Sequence, residues 1–159
     1  MTSQTSALTS APTAALRRYN TAWRLMRPFL PLMVWRRGRT GKDDPQRRGE
    51  RFARYQHRPD LPQKPIWLHA VSVGESMAAL ALVRALHDAG NKGPFLITTN
   101  TRTAASQIEA AAQQPDSPPI HHLYQPLDHP ALVDRFLAAL DPRAAIFLVS
   151  DFWPNLITR

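Results

Sequence analysis

After Pro65 the sequence alternates short apolar runs with longer amphipathic stretches, and no other feature restricts the fold as much. The runs are IWLHAV (66–71), PFLITT (94–99), IHHLYQP (120–126) and AAIFLV (144–149). Between the first two, Met77, Leu80, Leu82, Val83 and Leu86 recur at helical spacing as far as Gly90. TRTAASQIEAAAQQ is Ala-rich up to Pro115, HPALVDRFLAAL carries Pro130 in its first turn, and WPNLITR opens a further helix. Continuous apolar runs of this length suit strands covered on both faces, and helices between them imply right-handed crossovers. The expected fold class is therefore α/β, a doubly wound, Rossmann-like parallel sheet. With 159 residues and 43% hydrophobic content, one domain with a real core is expected.

Ligands of such sheets collect beyond the carboxyl ends of the strands, which singles out residues 72–75, 98–103, 125–128 and 150–151. In SVGES (72–76), Gly74 allows a close approach or an unusual dihedral, and Glu75 stands in the first turn of a helix. Two roles fit that position. The helix dipole favours an ionised carboxylate that could take a proton in the cleft, and the same carboxylate could cap unbonded N–H groups. In TTNTRT (98–103), hydroxyls and Arg102 could meet a sugar or phosphate, while Thr101 or Thr103 could equally cap a helix. The candidate substrate contacts at this edge are Ser72, Gly74, Ser76, Thr99, Thr101, Arg102 and Asp151.

Several chemistries lack their motifs. There is no nucleophile elbow, no Walker phosphate loop and no dinucleotide fingerprint after the first strand. Cysteine is absent, which removes disulfides, thiolate metal sites and thiol nucleophiles. His121 and His122 are neighbours on a strand and point to opposite faces, so no metal site is expected from them. His69, inside the first run, reads as a hydrogen-bonded core residue.

Charge is concentrated at one end, where residues 1–60 hold 13 of the 20 Lys and Arg and only 4 of the 12 acids. The rest of the chain is nearly neutral, so an anionic partner is expected for that segment alone. Residues 1–15 are rich in Ser, Thr, Ala and Pro without charge and read as a disordered lead-in. Residues 16–40 interleave Trp23, Leu25, Phe29, Leu32 and Trp35 with Arg24, Arg27, Arg36, Arg37 and Arg39. No apolar run there approaches the roughly 20 residues a membrane span needs, and Pro28 and Pro31 argue against one straight helix. Such a composition fits a segment lying in a membrane interface with its arginines among lipid phosphates, or one packed on its own domain. Arms that grip nucleic acid seldom carry so many large aliphatics, so no nucleic-acid partner is expected. Residues 41–65 read as a basic linker with a short helix near 46–55, most of its arginines on a solvated face.

Taken together, HAVSVGES, TTNTRTAAS, YQPLDHPALVDRFLAALDPRAAIF and WPNLI resemble the amino-terminal half of the 3-deoxy-D-manno-octulosonic acid (Kdo) transferases of lipid A assembly. The resemblance implies a GT-B glycosyltransferase at the cytoplasmic face of the inner membrane. It would move Kdo from CMP-Kdo to a hydroxyl of an acylated glucosamine disaccharide, with inversion and without metal or cofactor. In that family the glutamate of the V-S-V-G-E motif is taken as general base, a role that falls on Glu75. The family box E-T-E-L-W-P-N reads VSDFWPN here, so its first glutamate falls on Val149 and its second becomes Asp151. Valine offers neither charge nor hydrogen bond. Residues 66–159 are accordingly expected to form a partial acceptor-binding domain, with the donor-binding domain absent from this chain and supplied, if at all, by a separate polypeptide. The alternative expectation is an inactive truncated remnant, or a membrane-peripheral domain that binds anionic lipid A precursors.

Overall fold

A computed structural model describes residues 13–55, 64–148 and 153–159. Most of the expected lead-in, and Val149 and Asp151, lie outside the described residues. The body is a four-stranded, wholly parallel sheet of β1 (Ile66–His69), β2 (Phe95–Thr99), β3 (Ile120–Tyr124) and β4 (Ala144–Phe147), in the order β3-β2-β1-β4. Helices α3 (Val73–Asp88), α4 (Arg102–Ala112) and α5 (Pro130–Leu140) make the crossovers, and α6 (Pro154–Thr158) follows β4. The fold is therefore α/β and Rossmann-like, as the alternation of runs required.

Side chains alternate across the sheet and build a core on each face. Ile66, Leu68, Phe95 and Ile97 pack with Ala79, Leu80, Val83 and Ile108 on the side of α3 and α4. Trp67 and Leu96 turn the other way, onto Val133, Phe136 and Leu140 of α5. Because β1 and β2 are covered twice, every one of their residues is buried. At 25 cal/mol per Å² each buried aliphatic contributes roughly 1.5–3 kcal/mol, so these two clusters carry most of the favourable energy of folding.

Local chemistry fixes where the helices start and stop. Ser72, Thr101 and His129 each accept a backbone N–H as N-cap of α3, α4 and α5, and Pro130 occupies the first turn of α5 where its missing N–H costs nothing. Gly90 takes φ +99° directly after α3 has ended.

The amino-terminal segment forms α1 (Ala14–Met26) and α2 (Leu30–Arg39), separated by a 3-10 turn over Arg27–Phe29. Pro28 and Pro31 sit in the first turns of the two pieces after α1, so the break expected from them is present. Leu30, Val34 and Gly38 make the buried stripe of α2. A Cβ on Gly38 would meet the Arg48 guanidinium at 3.0 Å, so a side chain there would require that guanidinium to shift.

Residues 41–55 hold the short helix expected near 46–55, but their arginines depart from the solvated face expected for them. A 3-10 turn at Arg48–Phe52 lies against β3, and Arg51 is buried instead of solvated. Its guanidinium bonds the Asn100 carbonyl at 2.9 Å, Asn100 Oδ1 at 2.6 Å, the Gln125 carbonyl at 2.9 Å and Asp43 at 2.6 Å. Arg47 grips Glu50 through two bonds of 2.6 and 2.9 Å and donates to the His122 carbonyl at 3.0 Å, while Glu50 accepts the Tyr124 N–H at 2.7 Å. The physical reason is the sheet edge: the turns that follow parallel strands leave carbonyls to be satisfied, and a guanidinium offers five donors in a fixed fork.

Candidate functional site

All four strands run the same way, so the β1–α3, β2–α4 and β3–α5 connections open at one edge of the sheet. In the first of these, Glu75 Oε2 accepts the N–H of Val71 at 2.7 Å and of Ser72 at 2.9 Å. Ser72 Oγ in return accepts the Glu75 N–H at 3.3 Å, which completes a capping box. Glu75 is half-buried, while Ser72, Val73 and Gly74 before it are exposed. The capping role left open by the sequence is thus occupied, and it holds the carboxylate at the mouth of the turn.

The other expected contacts separate into two groups. Gly74 does not take a left-handed dihedral, which corrects half of the reason given for it, and among the described residues nothing lies within 4 Å of where its Cβ would be, so the approach there is open. Ser76 is fully buried and its hydroxyl donates to the Ser72 carbonyl at 2.8 Å, so it braces the turn and does not face a substrate. Thr99 is buried with Oγ1 2.9 Å from His122 Nε2. Thr101 caps α4 through a bond from the Ala104 N–H, and Arg102 beside it is exposed. The turn thus presents Ser72, Gly74, Glu75, Thr101 and Arg102 outward, while Ser76 and Thr99 support it from below.

Beneath Glu75 lies a buried polar group that the apolar pattern conceals. Trp67 Nε1 donates to Thr98 Oγ1 at 2.8 Å, and His69 Nδ1 is also 2.8 Å from that oxygen. A hydroxyl has one proton and two acceptor positions, so Thr98 either gives its proton to Nδ1 or accepts one from it, and that choice decides whether His69 carries a proton on Nε2. That Nε2 has no hydrogen-bond partner among the described residues. Burial pushes the imidazole pKa down to about 4, and the charge of Glu75 pulls the other way. The core reading of His69 holds, with one buried ring nitrogen unbonded among the described residues.

The start of α6 is tied to the β3–α5 connection. Asp128 accepts the N–H groups of Asn155 at 3.1 Å and Leu156 at 3.0 Å, and Asn155 Nδ2 donates to the Asp128 carbonyl at 2.7 Å. Tyr19 of α1 donates to the same carboxylate at 2.7 Å. Burial raises the Asp128 pKa, and these donors oppose the rise. The PLDHP and WPN stretches are therefore one unit, a pairing that 27 residues of separation hid from sequence reading.

Of the five arginines expected on the amino-terminal segment, Arg37 is committed elsewhere. It pairs with Asp43 through two bonds of 2.9 and 3.1 Å and donates to the Asn100 carbonyl at 3.2 Å. This corrects its assignment as a membrane or phosphate contact: the edge carbonyl and Asp43 claim its donors. Arg24, Arg27, Arg36 and Arg39 stay at the surface next to Leu25, Met26, Phe29, Leu32, Met33 and Trp35, all of them large and exposed. Among the described residues, no helix is long and apolar enough to cross a membrane, and no group of three or more His, Asp or Glu is placed to hold a metal ion.

Comparison with known proteins agrees with this architecture. A family model described as 3-deoxy-D-manno-octulosonic-acid transferase (kdotransferase) matches residues 46–159. The chain is 37% identical over 134 residues to a probable mitochondrial 3-deoxy-D-manno-octulosonic acid transferase of Arabidopsis thaliana, covering 82% of this chain and 28% of that protein. It is 35% identical over 145 residues to the 3-deoxy-D-manno-octulosonic acid transferase of Bordetella pertussis, covering 87% of this chain and 33% of the relative. With that of Haemophilus influenzae the identity is 37% over 112 residues, covering 70% and 25%. The chain thus spans about a quarter to a third of the length of these curated relatives. By this match and by its fold, the chain belongs to the 3-deoxy-D-manno-octulosonic-acid transferase (kdotransferase) family.

Proposed function

We propose that this chain is the acceptor-side part of a glycosyltransferase that moves Kdo from CMP-Kdo to a hydroxyl of a lipid A precursor, with inversion at the anomeric carbon. The observation that carries the reading is the position of Glu75, half-buried at the carboxyl edge of the sheet in a family of Kdo transferases. In the proposed step the acceptor oxygen forms the new bond to the anomeric carbon. Its proton passes to the Glu75 carboxylate, and CMP departs with the electrons of the broken bond. An ionised carboxylate has about four acceptor positions, so serving as cap to Val71 and Ser72 is compatible with receiving a proton. Arg102, exposed at the adjacent turn, is suited to an acidic group of the acceptor. The CMP moiety would be held by a second domain, carried by a separate polypeptide or by further chain.

The exposed apolar face of α1 and α2, flanked by Arg24, Arg27, Arg36 and Arg39, supports docking on an anionic membrane surface, here the cytoplasmic face of the inner membrane. The test supplies this chain with a separately expressed donor-binding domain, CMP-Kdo and an acylated glucosamine disaccharide. Transfer by the native chain and its loss in Glu75→Gln, with vesicle binding unchanged, is the expected result. Transfer that survives Glu75→Gln would remove Glu75 as base. No transfer by the native chain would favour the second reading, a membrane-peripheral lipid-binding domain, for which the exposed apolar face speaks directly.

A further inference from the structure

On the face of the sheet that carries α5, the start of that helix meets the junction of α1 and α2 across a cavity of about 340 Å³. Arg27, Arg54 and Arg135 bring three guanidinium groups to it, and Leu30, Pro31 and Phe52 supply apolar wall. Among the described residues, no carboxylate lines the cavity and none of the three arginines forms an ion pair. Arg135 donates one long bond, 3.4 Å, to the Phe52 carbonyl. The acids nearest in sequence are engaged elsewhere, Asp128 with Tyr19 and the α6 amides and Asp134 with Arg159.

His129 completes the lining and is itself only 8% exposed. Its Nδ1 accepts the Ala131 N–H at 3.2 Å, so the ring proton sits on Nε2, and that N–H is buried with no partner among the described residues. Desolvation and the charges of Arg27 and Arg24 push its pKa down, a sign of the positive potential there. Three guanidinium groups without an ion pair and an unused N–H, all judged among the described residues, call for an anion with several terminal oxygens, which a phosphomonoester has and a carboxylate does not. Directly beside the cavity, and sharing Pro31 and Phe52 with it, runs an open groove of about 630 Å³ along Leu32, Val34 and Trp35.

We infer that the cavity binds the phosphomonoester head of a lipid whose hydrocarbon arm lies in the adjoining groove. The site requires no transfer chemistry, so its failure and that of Glu75 as base are separate results. The test measures binding of the 159-residue chain to phosphatidylcholine vesicles containing a minor share of phosphatidic acid. The comparison vesicles carry equal surface charge from phosphatidylglycerol, a phosphodiester. Phosphatidic acid is expected to be preferred by about tenfold, and Arg54→Gln with Arg135→Gln to abolish the preference, since each charge-assisted bond is worth about tenfold or more. Arg36→Gln with Arg39→Gln, an equal loss of charge outside the cavity, should weaken binding to both vesicles alike and keep the preference. Arg135→Lys retains charge and stem but not the fork, and should lower the preference in a chain whose fold is undisturbed by circular dichroism. Equal affinity for the two vesicles, or the same loss of preference in the Arg36 and Arg39 control, would overturn the inference. Inorganic phosphate that displaces the chain from vesicles at a concentration equal to that of phosphatidic acid would overturn the lipid assignment.

Discussion

Replacing Glu75 by Gln removes the basic carboxylate but keeps an amide oxygen that can still accept the N–H groups of Val71 and Ser72. Loss of a general base costs about 10²–10⁴ in rate, whereas the helix start should be nearly unaffected. Ser72→Ala does the opposite, removing the acceptor of the Glu75 N–H, and should lower stability by about 1 kcal/mol in urea denaturation. A Glu75→Gln chain as unstable as Ser72→Ala, with transfer at the native rate, would show that the carboxylate serves the cap alone. The sequence placed Glu75 correctly at the helix start but left its role divided, because a capping acid and a catalytic acid occupy the same position for the same electrostatic reason. His69 gives a second prediction at this scale. Its folded pKa, near 4, lies below the unfolded value of 6.5, so the unfolded chain binds more protons between those pH values. Its contribution, about 3 kcal/mol, is complete above pH 6.5 and is lost progressively as the pH falls towards 4. His121, His122 and His129 are shifted in the same direction by burial and act with it. Thermal melts should therefore show a markedly lower midpoint at pH 5 than at pH 7.5, and His69→Phe should flatten that dependence.

At the level of elements, strands and crossover helices were legible because each depends on neighbours in the sequence. IWLH and FLITT announce doubly covered strands, and Pro130 announces the first turn of α5. The segment at 41–55 was not legible, since the partners of its charges are remote: Arg51 meets Asn100 across 49 residues, and Glu50 meets the Tyr124 N–H across 74. A run of arginines looks solvated until the fold supplies carbonyls for it. Arg51→Met tests this directly, because it takes the Arg51 donor from the Gln125 carbonyl and Asn100 Oδ1 and leaves the Asn100 carbonyl and Asp43 to Arg37 alone. The expected loss is about 3 kcal/mol, at the lower end of the cost of breaking a buried pair because Arg37 still holds Asp43. A change below about 0.5 kcal/mol, the size of an ordinary surface substitution, would mean that water serves those carbonyls equally well.

For the molecule as a whole, the question is why α1 and α2 place apolar groups on both sides. Leu30 and Val34 satisfy the core, so Leu25, Met26, Phe29, Leu32, Met33 and Trp35 gain nothing from the fold and pay the cost of exposure to water. Their arginine neighbours rule out a simple continuation of the core and match a surface that is anionic above and apolar below. In the membrane docking proposed above, two forces would hold the chain on a bilayer, and they respond differently to conditions. The electrostatic part is about 1 kcal/mol per arginine near the surface and is screened as the Debye length shortens from about 8 Å to about 3 Å at 1 M salt. The apolar part is indifferent to screening. Phe29 and Leu32, 58% and 61% exposed, each have most of a side chain to bury in the acyl boundary. Replacing either by Ser should weaken partitioning into phosphatidylglycerol vesicles by about tenfold, at low and at high salt alike. Replacing Arg36 and Arg39 by Gln should weaken it only at low salt. Sedimentation across a salt series separates the two, and the reading of this face as a membrane contact fails if the Phe29 and Leu32 variants bind as tightly as the native chain at 1 M salt.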